Sequence, residues 1–545
     1  MTAPGERLPP SSTVTGLLLA RANDTEKGLT FDDRQWTWAE HVQECADRSA
    51  LLNSLRRPGP FHIGVLLDNV PEYSFLLGGA ILAGAIVVGL NTSRRGEALV
   101  RDIRLAECQV VITNSRYVEL LQGLDIGARV LDIDSAAWHV TMFRHQHSQL
   151  DPAPAKPADL LALVYTAGTT AEPKPVRYTH ADVAGPATAL TERFGLTTRD
   201  TAYVSMPLFH ANALTAGWAT ALAAGATVAL AGRFSSTGFL DDVRILGATY
   251  TTYTGLPLSY LLATPVDQHD AENPLRLVFG HGAGTADVEA FAQRFDCEVV
   301  DSYGSTEDGP MVPHPDDPVG SLGRLDGDHD VLDPATGKPR APATFDADGR
   351  LLNPHDAIGE LVNTAGSVAG YHGADGLRDG MFWTGDRVYR DEQGFCYFVC
   401  RSADLVGAGD ELVGTAPVER VLARYTAFGD VAAYGVPDPQ DGEAVMVAVV
   451  LRPEVTFDAK DFAAFLAAQP DLTPAQTPRY VRLTGRLPRT ATYQVLRRTL
   501  VAQRWRTQDP IWWRSGTRPA TPQFEPLTPS SDPIRLDWGT GSVRR

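Results

Sequence analysis

The chain has 545 residues, of which 43% are hydrophobic and 21% are charged, so it is long enough for several domains with sizeable cores. Its formal net charge is -18, which argues against a general binder of nucleic acid or of anionic membranes, because both need a basic face. An anionic ligand stays allowed, since a few local donors are enough to bind phosphate.

Five cysteines are scattered along the chain, and the nearest two are Cys396 and Cys400. No second Cys/His pair at zinc spacing lies near them. We therefore expect buried thiols in a reducing cytosol, and with them a cytoplasmic protein. The first residues also lack the charged-then-apolar pattern of a signal peptide.

The first third of the chain alternates between strand-like and helix-like segments. Residues 14–21 and 39–55 are typical of helices, and residues 62–67 form a short apolar strand. The same rhythm continues through a helix at 97–105 and a strand at 109–113. This alternation predicts an α/β fold in which parallel-type sheets are covered by helices.

One apolar run, at residues 75–90, is near the lower length limit for a membrane span. It contains four glycines and is flanked by Asp68, Glu72 and Asn91. We expect a buried helix followed by a buried strand, without stable insertion into a membrane.

Residues 165–175 follow a second apolar strand at 160–164 and read Tyr-Thr-Ala-Gly-Thr-Thr-Ala-Glu-Pro-Lys-Pro. Glycine lets backbone N–H groups approach a phosphate, hydroxyls add donors and lysine adds a positive charge. No Gly-Lys-Ser/Thr closes the stretch, so it is not the usual P-loop. From these residues alone, an ordinary Gly/Thr loop and a phosphate-binding loop both stay open.

Two later motifs carry ligand-binding chemistry. In residues 301–307, Tyr303 offers an aromatic face, Thr306 a donor and Glu307 an oxygen ligand for Mg²⁺. A helix cap is the alternative for this turn. In residues 383–386, the carboxylate of Asp386 is able to accept both hydroxyls of a ribose, although Asp is also a common turn former.

Together, and in this order, these motifs resemble those of the adenylate-forming superfamily of acyl- and aryl-CoA synthetases, luciferases and adenylation domains of peptide synthetases. Its loop pattern is Tyr-Thr-Ser-Gly-Thr-Thr-Gly-x-Pro-Lys-Gly. Here Ala167 replaces Ser, while Ala171 and Pro175 replace Gly. The resemblance covers residues 10–510 approximately, and the hinge region is most similar to the fatty-acid transport and very-long-chain acyl-CoA synthetase branch.

The resemblance implies a role for each matched residue, including His210 near an acid pocket, Asp386 on the ribose and Arg401 on ribose or phosphate. The catalytic set that it implies is Lys174, His210, Thr306, Glu307, Arg401 and Gln494. The implied nucleotide contacts are Thr166, Gly168, Thr169, Thr170, Gly282, Ala283, Tyr303, Gly304 and Asp386. Glu307 and Thr166 are the implied Mg²⁺ ligands.

The resemblance also implies the domain organisation. Residues 1–400 form an adenylation domain of parallel-type sheets, helices and a β subdomain that binds ATP and the acid. Residues 401–510 form a small mobile α/β domain that swings about a hinge at Asp404, and residues 511–545 form an extended tail.

The chain departs from the family pattern at Gln494, where Pro-Arg-Thr-x-Thr-x is followed by Gln instead of Lys. The family's lysine contacts the carboxylate and the α-phosphate, and losing such a charge commonly costs ~10²–10³ in rate. Three interpretations stay open. Arg497 or Arg498 substitutes for the lysine, the first half-reaction is slow, or the activated acid is not an ordinary carboxylate.

The resemblance implies an enzyme that uses ATP and Mg²⁺ to adenylate a small-molecule acid and then transfers it to a nucleophile, by default CoA. One alternative is a diazotase that activates nitrite and delivers it to an arylamine, which Gln494 keeps open. Another is a catalytically silent nucleotide-binding regulator, suggested by Ala167, Ala171, Pro175 and Gln494. A homodimer also stays open.

Overall fold

A computed structural model describes the greater part of the chain. The described residues are 12–166, 173–255, 257–283, 285–314, 316–318, 320–325, 327–346, 351–366, 368–373, 376–408, 411–438, 442–469, 472–490, 494–514 and 523–528. Three predicted site residues, Gly168, Thr169 and Thr170, lie outside them.

The strands of the large N-terminal part are β1 (Lys27–Phe31), β2 (Arg34–Thr37), β3 (His62–Leu66), β4 (Ile86–Gly89), β5 (Val110–Thr113), β6 (Arg129–Asp132), β7 (Leu160–Tyr165), β8 (Pro175–Thr179), β9 (Thr201–Val204), β10 (Thr227–Leu230), β11 (Tyr250–Thr254), β12 (Leu277–His281), β13 (Glu298–Ser305) and β14 (Gly309–Met311). The later strands are β15 (His329–Leu332), β16 (Gly359–Asn363), β17 (Phe382–Arg390), β18 (Cys396–Arg401), β19 (Val406–Ala408), β20 (Glu411–Val413), β21 (Phe428–Asp438), β22 (Gly442–Leu451), β23 (Tyr480–Leu483), β24 (Ile511–Arg514) and β25 (Phe524–Pro526).

The helices lie between these strands. They are α1 (Val14–Leu19), α2 (Trp38–Leu55), α3 (Pro71–Ala83), α4 (Gly96–Leu105), α5 (Ser115–Val118), α6 (Ala136–His145), α7 (His180–Arg193), α8 (Thr220–Ala224), α9 (Phe239–Leu246), α10 (Pro257–Leu262), α11 (Thr285–Phe295), α12 (Pro354–Ala357), α13 (Thr415–Leu422), α14 (Ala459–Ala467) and α15 (Arg497–Gln503). A π-helical segment, Ala213–Ala219, precedes α8, and short 3₁₀ turns cover Glu119–Leu121 and Ser402–Asp404.

Two mostly parallel sheets form the frame of the N-terminal part. One has the strand order β6-β5-β3-β4-β7-β8 and the other β14-β13-β12-β11-β9-β10-β1-β2. Their antiparallel pairs lie at the edges, at β7/β8 in the first sheet and at β1/β2 and β13/β14 in the second. The predicted α/β fold of parallel-type sheets covered by helices is confirmed.

Local sequence explains the buried helices that cover these sheets. Helix α2 begins at a capping box in which Thr37 and Glu40 satisfy each other's backbone N–H groups. Helix α3 begins at Pro71 and ends at Gly84, which has the left-handed conformation that favours glycine (φ 60°). The buried α3 and the buried β4 together confirm the helix and strand expected for the apolar run. In the described part of the chain, no helix is long and apolar enough to cross a membrane.

Two further sheets follow. An antiparallel sheet, in the order β15-β16-β17-β18, corresponds to the predicted β subdomain. The C-terminal sheet has the order β20-β19-β22-β23-β24-β25, with β21 paired to β22 and a core of its own. Strands β24 and β25 add residues from beyond position 510 to this sheet.

This topology brings several of the described predicted site residues to the ends of neighbouring strands. The carboxyl ends of parallel strands meet at one edge of a sheet, where ligands of α/β folds commonly bind. Strand β7 leads into the predicted phosphate loop, and β12 and β13 lead to His281 and Ser305. Strand β18 ends at Arg401, three residues before the predicted hinge residue Asp404.

Candidate active site

The first part of the site joins Lys174, Tyr371 and Glu307. The Lys174 ammonium lies 4.6 Å from the centre of the Tyr371 ring, a cation–π distance. The Tyr371 hydroxyl donates to Oε1 of Glu307 at 2.6 Å. Burial, with the Glu307 carboxylate beside it, raises the pKa of Tyr371, so this hydroxyl keeps its proton and stays a donor.

The predicted loop is closed at its base by two hydrogen bonds. The backbone N–H of Lys174 donates to Oγ1 of Thr166 at 3.1 Å, and the N–H of Thr166 donates to the Lys174 carbonyl at 3.0 Å. The two ends of the loop are therefore fixed at neighbouring positions, with Lys174 on the side of Glu307.

Strand β8 holds the segment around Glu307 in place. The Tyr178 hydroxyl donates to the Thr306 carbonyl at 2.6 Å, and the Arg177 N–H donates to the Gly370 carbonyl at 2.9 Å. The Ala369 N–H donates to the Glu307 carbonyl at 2.9 Å. These bonds connect three segments that are far apart in sequence, so the position of Glu307 depends on all of them.

The donor set suits Mg²⁺ bound with phosphates. Glu307 supplies a carboxylate, of which only Oε1 has a hydrogen-bond partner among the described residues. Thr166 supplies a hydroxyl at the loop base, and Lys174 supplies a cation nearby. Mg²⁺ is commonly held by one or two carboxylates together with substrate phosphates, so these residues fit the ion.

A second part of the site joins Tyr303, Asp386 and Arg401. Neighbouring strands β17 and β18 place Asp386 opposite Arg401, and the Arg401 Nε lies 2.8 Å from Oδ1 of Asp386. The Tyr303 hydroxyl donates to Oδ2 at 2.5 Å. The Asp386 side chain is only 1% exposed, and its burial raises the pKa of Asp386 against the opposing effects of Arg401 and Tyr303.

Two partly buried histidines, His210 and His281, form the third part. Burial, and then the neighbouring His281, lower the pKa of His210 to about 4. Burial, and then Arg401, lower the pKa of His281 to about 4. Both imidazoles are therefore neutral near pH 7. His281 was not among the residues predicted for the site, although it lies in the Gly-rich turn that contains Gly282 and Ala283.

That turn is anchored by Asp301, which was also not among the predicted site residues. Oδ1 of Asp301 accepts hydrogen bonds from the Tyr253 hydroxyl and from the Ala283 N–H, the latter at 3.2 Å. Burial raises the pKa of Asp301 to about 6. Its only sequence signal was its place at the start of the 301–307 motif. Gly304 lies on the same strand, β13, three residues after Asp301.

A small, largely apolar cavity of about 10 Å³, enough for one water molecule, lies between β11, α10 and the residues that follow β9. Its lining residues are Ser205, Met206, Phe234, Phe239, Thr251, Thr252, Tyr253, Pro257, Leu258, Leu261, Val278 and Phe291. Asn212, two residues after His210, donates from Nδ2 to the Tyr253 carbonyl at 3.5 Å. The π-helical segment starts at the next residue, and such segments often occur at functional sites.

Gln494 and Arg497 belong to the C-terminal part, where Gln494 lies in a loop and Arg497 is the first residue of α15. In the part of the chain that the structure describes, no hydrogen bond joins Gln494 to the large N-terminal part, and its backbone pairs with Thr490. Arg497 forms two bonds to Glu419, at 2.6 and 2.8 Å, and lies 3.5 Å from Asp404. Since Arg497 is bound beside the predicted hinge, this arrangement argues against its replacing the missing lysine.

Comparisons with known proteins agree with this arrangement. The family model described as AMP-binding enzyme matches residues 20–369, and that of the AMP-binding enzyme C-terminal domain matches residues 417–493. The chain is 44% identical to a medium/long-chain-fatty-acid–CoA ligase, FadD17, of Mycobacterium marinum, over 92% of this chain and 98% of the relative. It is 42% identical to a steroid-22-oyl-CoA synthetase of Rhodococcus jostii, over 96% of each chain.

A solved structure shares the fold. The crystal structure of ATP-bound MatB from Rhodopseudomonas palustris superposes with a TM-score of 0.79 at 21% identity, covering 90% of this chain and 98% of that one. At this identity the likeness supports only the architecture, a large N-terminal and a small C-terminal domain. The chemistry of the site is inferred from the residues described above.

Proposed function

Because the chain belongs to the AMP-binding enzyme family and is an AMP-forming acid–CoA ligase, we propose that its acid is a bulky, apolar carboxylic acid. The enzyme uses ATP, Mg²⁺ and CoA. The adenylate-forming enzyme predicted from the sequence is thereby confirmed. The relatives are CoA ligases, which favours CoA over an arylamine acceptor and a ligase over a silent regulator.

The observation that carries this proposal is the similarity of this chain, at 44% and 42% identity, to two relatives whose names specify a fatty acid and a steroid acid. Acids of both kinds combine a carboxylate with a large hydrocarbon chain or ring system. A pocket that binds such an acid gains free energy by burying its apolar part and penalises a second charge.

In the first half-reaction, a carboxylate oxygen attacks the α-phosphorus of ATP, and the bond to the pyrophosphate leaving group breaks. We propose that Lys174 and Thr306 donate to the phosphate oxygens, and that Glu307 with Thr166 holds Mg²⁺. When bound, Mg²⁺ neutralises phosphate charge. The chain contributes positioning and charge stabilisation, which suffice for phosphoryl-type displacement.

The nucleoside is held by the second part of the site in this proposal. Tyr303 and Gly304, with the turn at Gly282 and Ala283, provide a surface for adenine. Asp386 accepts from the ribose hydroxyls, because its carboxylate is fixed by Tyr303 and Arg401. The Arg401 side chain is 40% exposed, which leaves its guanidinium accessible to a ribose or phosphate oxygen.

In the second half-reaction, the CoA sulfur attacks the acyl carbonyl, the bond to AMP breaks, and a thioester forms. We propose that the C-terminal domain rotates about Asp404 between the two half-reactions. In this proposal, His210 and His281 face the acid substrate. Because both imidazoles are neutral near pH 7, they neither repel a cation nor attract the acid's carboxylate by charge. We propose that His210 donates or accepts one hydrogen bond there.

The test is pyrophosphate release from Mg-ATP with straight-chain fatty acids, a steroid carboxylic acid, short or dicarboxylic acids, and nitrite with an arylamine. Release that requires a bulky apolar acid, with CoA consumed and thioester detected by mass spectrometry, supports the proposal. Turnover only with small polar acids, or only with nitrite and the amine, contradicts it. Glu307→Gln and Asp386→Ala should each slow adenylation strongly, and near-normal rates in both would refute these site assignments.

We also propose that the enzyme works in the cytoplasm, because all five cysteines are free thiols. A homodimer is a further proposal, which light scattering of the purified chain tests directly. A mass equal to one chain at working concentration would exclude it.

A further inference from the structure

A separate cluster of ligand-type side chains lies at the amino-terminal end of β3. It consists of His62, Glu107 and His372, whose nearest nitrogen and oxygen ligand atoms all lie within 4.8 Å of one another. His62 begins β3, Glu107 follows helix α4, and His372 follows Tyr371. The fold thus brings three separate segments to one point.

The orientation of His62 suits a metal ligand. Its Nδ1 lies 2.6 Å from the Ala106 carbonyl, and a carbonyl only accepts, so Nδ1 carries the proton. The other nitrogen, Nε2, therefore has a free lone pair. Metal-binding histidines almost always donate their second ring nitrogen to a carbonyl or carboxylate in this way. His62 is 1% exposed, and such burial fixes its ring.

The other two side chains complete the cluster. The His372 ring lies 5.4 Å from the His62 ring, nearly perpendicular to it. Oε2 of Glu107 lies 3.3 Å from Nε2 of His372. A simple Glu–His ion pair explains this last contact, but it does not involve the buried His62, whose Nε2 has no hydrogen-bond partner among the described residues.

We propose that His62, Glu107 and His372 bind one divalent transition-metal ion of the zinc class, with water in the remaining position. Two imidazoles and one carboxylate are a common donor set for zinc. A tetrahedral ion holds neighbouring ligand atoms about 3.3 Å apart, so closing the cluster needs shifts of the order of 1 Å. The Glu107 side chain is 67% exposed, which lets it make that shift and gives the ion a path from solvent.

The site is coupled to the nucleotide site through one residue. His372 follows Tyr371, which contacts Lys174 and Glu307, and the His372 N–H donates to the Pro175 carbonyl at 2.8 Å. An ion here ties the segment 368–373 to β3 and to the exit of the phosphate loop. The coupling of the ion to ATP binding rests on the proposed function, whereas metal binding itself does not.

The experiment uses the full chain, stripped of metal by a chelator and titrated with Co²⁺ in the presence of excess Mg²⁺ and without ATP. We expect one equivalent of Co²⁺ to bind with visible d–d absorption bands and to be displaced by Zn²⁺. His372→Gln and Glu107→Gln should each weaken binding by at least about 10- to 100-fold, the loss that even outer-shell changes cause.

The matched control is His269→Gln, which removes another exposed His–Glu contact, that of His269 with Glu272 at 3.0 Å. It should leave Co²⁺ binding unchanged. Circular dichroism and thermal unfolding without metal show whether each variant is folded. Absence of stoichiometric binding, or equal binding by the wild type and both folded cluster variants, overturns the proposal, and ligase activity with an apolar acid is scored separately.

Discussion

The hydrogen bond from the Tyr371 hydroxyl to Glu307 can be tested by removing a single oxygen atom. Tyr371→Phe keeps the ring beside Lys174 but removes the donor to Glu307. A hydrogen bond to a charged group contributes about 1.5–3 kcal/mol, so we expect kcat/KM for ATP to fall about tenfold or more. Steady-state pyrophosphate release at varied ATP measures it.

The control for that substitution is Tyr397→Phe, which removes a hydroxyl that donates to Asp391 at 3.2 Å in the β subdomain. It should leave the ATP dependence unchanged. Equal kinetics for the wild type and Tyr371→Phe would show that the Glu307 carboxylate is positioned by the backbone bonds of Thr306 and Ala369 alone.

Gln494 gives a second prediction about one side chain. A lysine at this position would place a positive charge between two anions, so Gln494→Lys should speed acyl-adenylate formation by up to ~10²–10³ and leave thioester formation from preformed adenylate unchanged. Single-turnover assays of the two half-reactions separate these steps. Gln393→Lys adds the same charge at an exposed turn and serves as the control.

A slower or unchanged first half-reaction in Gln494→Lys would mean that this chain supplies the charge from another residue. Arg497 is a weak candidate, because its guanidinium is bound by Glu419 and lies beside Asp404.

The residues that a linear motif contains were predictable, and the residues that fix them were not. Asp386 and Glu307 stand in short motifs that directly follow or lie within strands, so their chemistry was visible in the sequence. Tyr178 and Tyr371 act through the register of β8 and the path of a distant loop. Asp301 and His281 gain their perturbed pKa values from burial, which depends on tertiary packing.

At the level of strands, β11 and β12 pack too closely for any side chain at Gly280. A Cβ there would overlap the carbonyl oxygen and ring of Tyr253, which also anchors Asp301. Gly280→Ala should therefore separate the two strands, lower stability by about 1–3 kcal/mol and slow adenylation. Thermal unfolding and pyrophosphate release measure the two effects.

Gly232→Ala is the matched control, because a Cβ at that position meets no atom of the described chain within 4 Å. It should behave as the wild type. If Gly280→Ala were as stable and active as Gly232→Ala, the close strand contact would not hold the Gly282–Ala283 turn in place.

The order of elements was readable from the sequence because hydrophobic periodicity and glycine turns are local signals. The alternation of strand and helix predicted parallel-type sheets, and the buried α3 and β4 followed from one apolar run. The strand order was not readable, since it depends on contacts between distant segments such as β1 with β10. The π-helical turn at Ala213–Ala219 has no periodic signal of its own.

The two domains are joined by a short connection, and Arg497 fixes its orientation in this structure. The Arg497 guanidinium binds Glu419 on α13, lies 3.5 Å from Asp404, and donates from Nε to the Ala433 carbonyl at 3.2 Å. One side chain thus ties the predicted pivot to two elements of the C-terminal domain. Burial alone would lower the pKa of Arg497, but the Glu419 and Asp404 carboxylates raise it, so the guanidinium stays charged.

Arg497→Met keeps much of the side-chain volume but removes these bonds, so the connection should become more mobile. We expect faster hydrogen–deuterium exchange in residues 402–408 and a changed ratio of the two half-reaction rates, because rotation about Asp404 is proposed to separate them. Arg424→Met, in the same domain but away from the hinge, should change neither. Faster exchange with an unchanged ratio would show that Arg497 orders the hinge without setting the rate of rotation. Unchanged exchange would show that packing of α13 against β18 holds the domains together instead. The two elements are in close contact where Gly414, directly before α13, meets Val399 on β18.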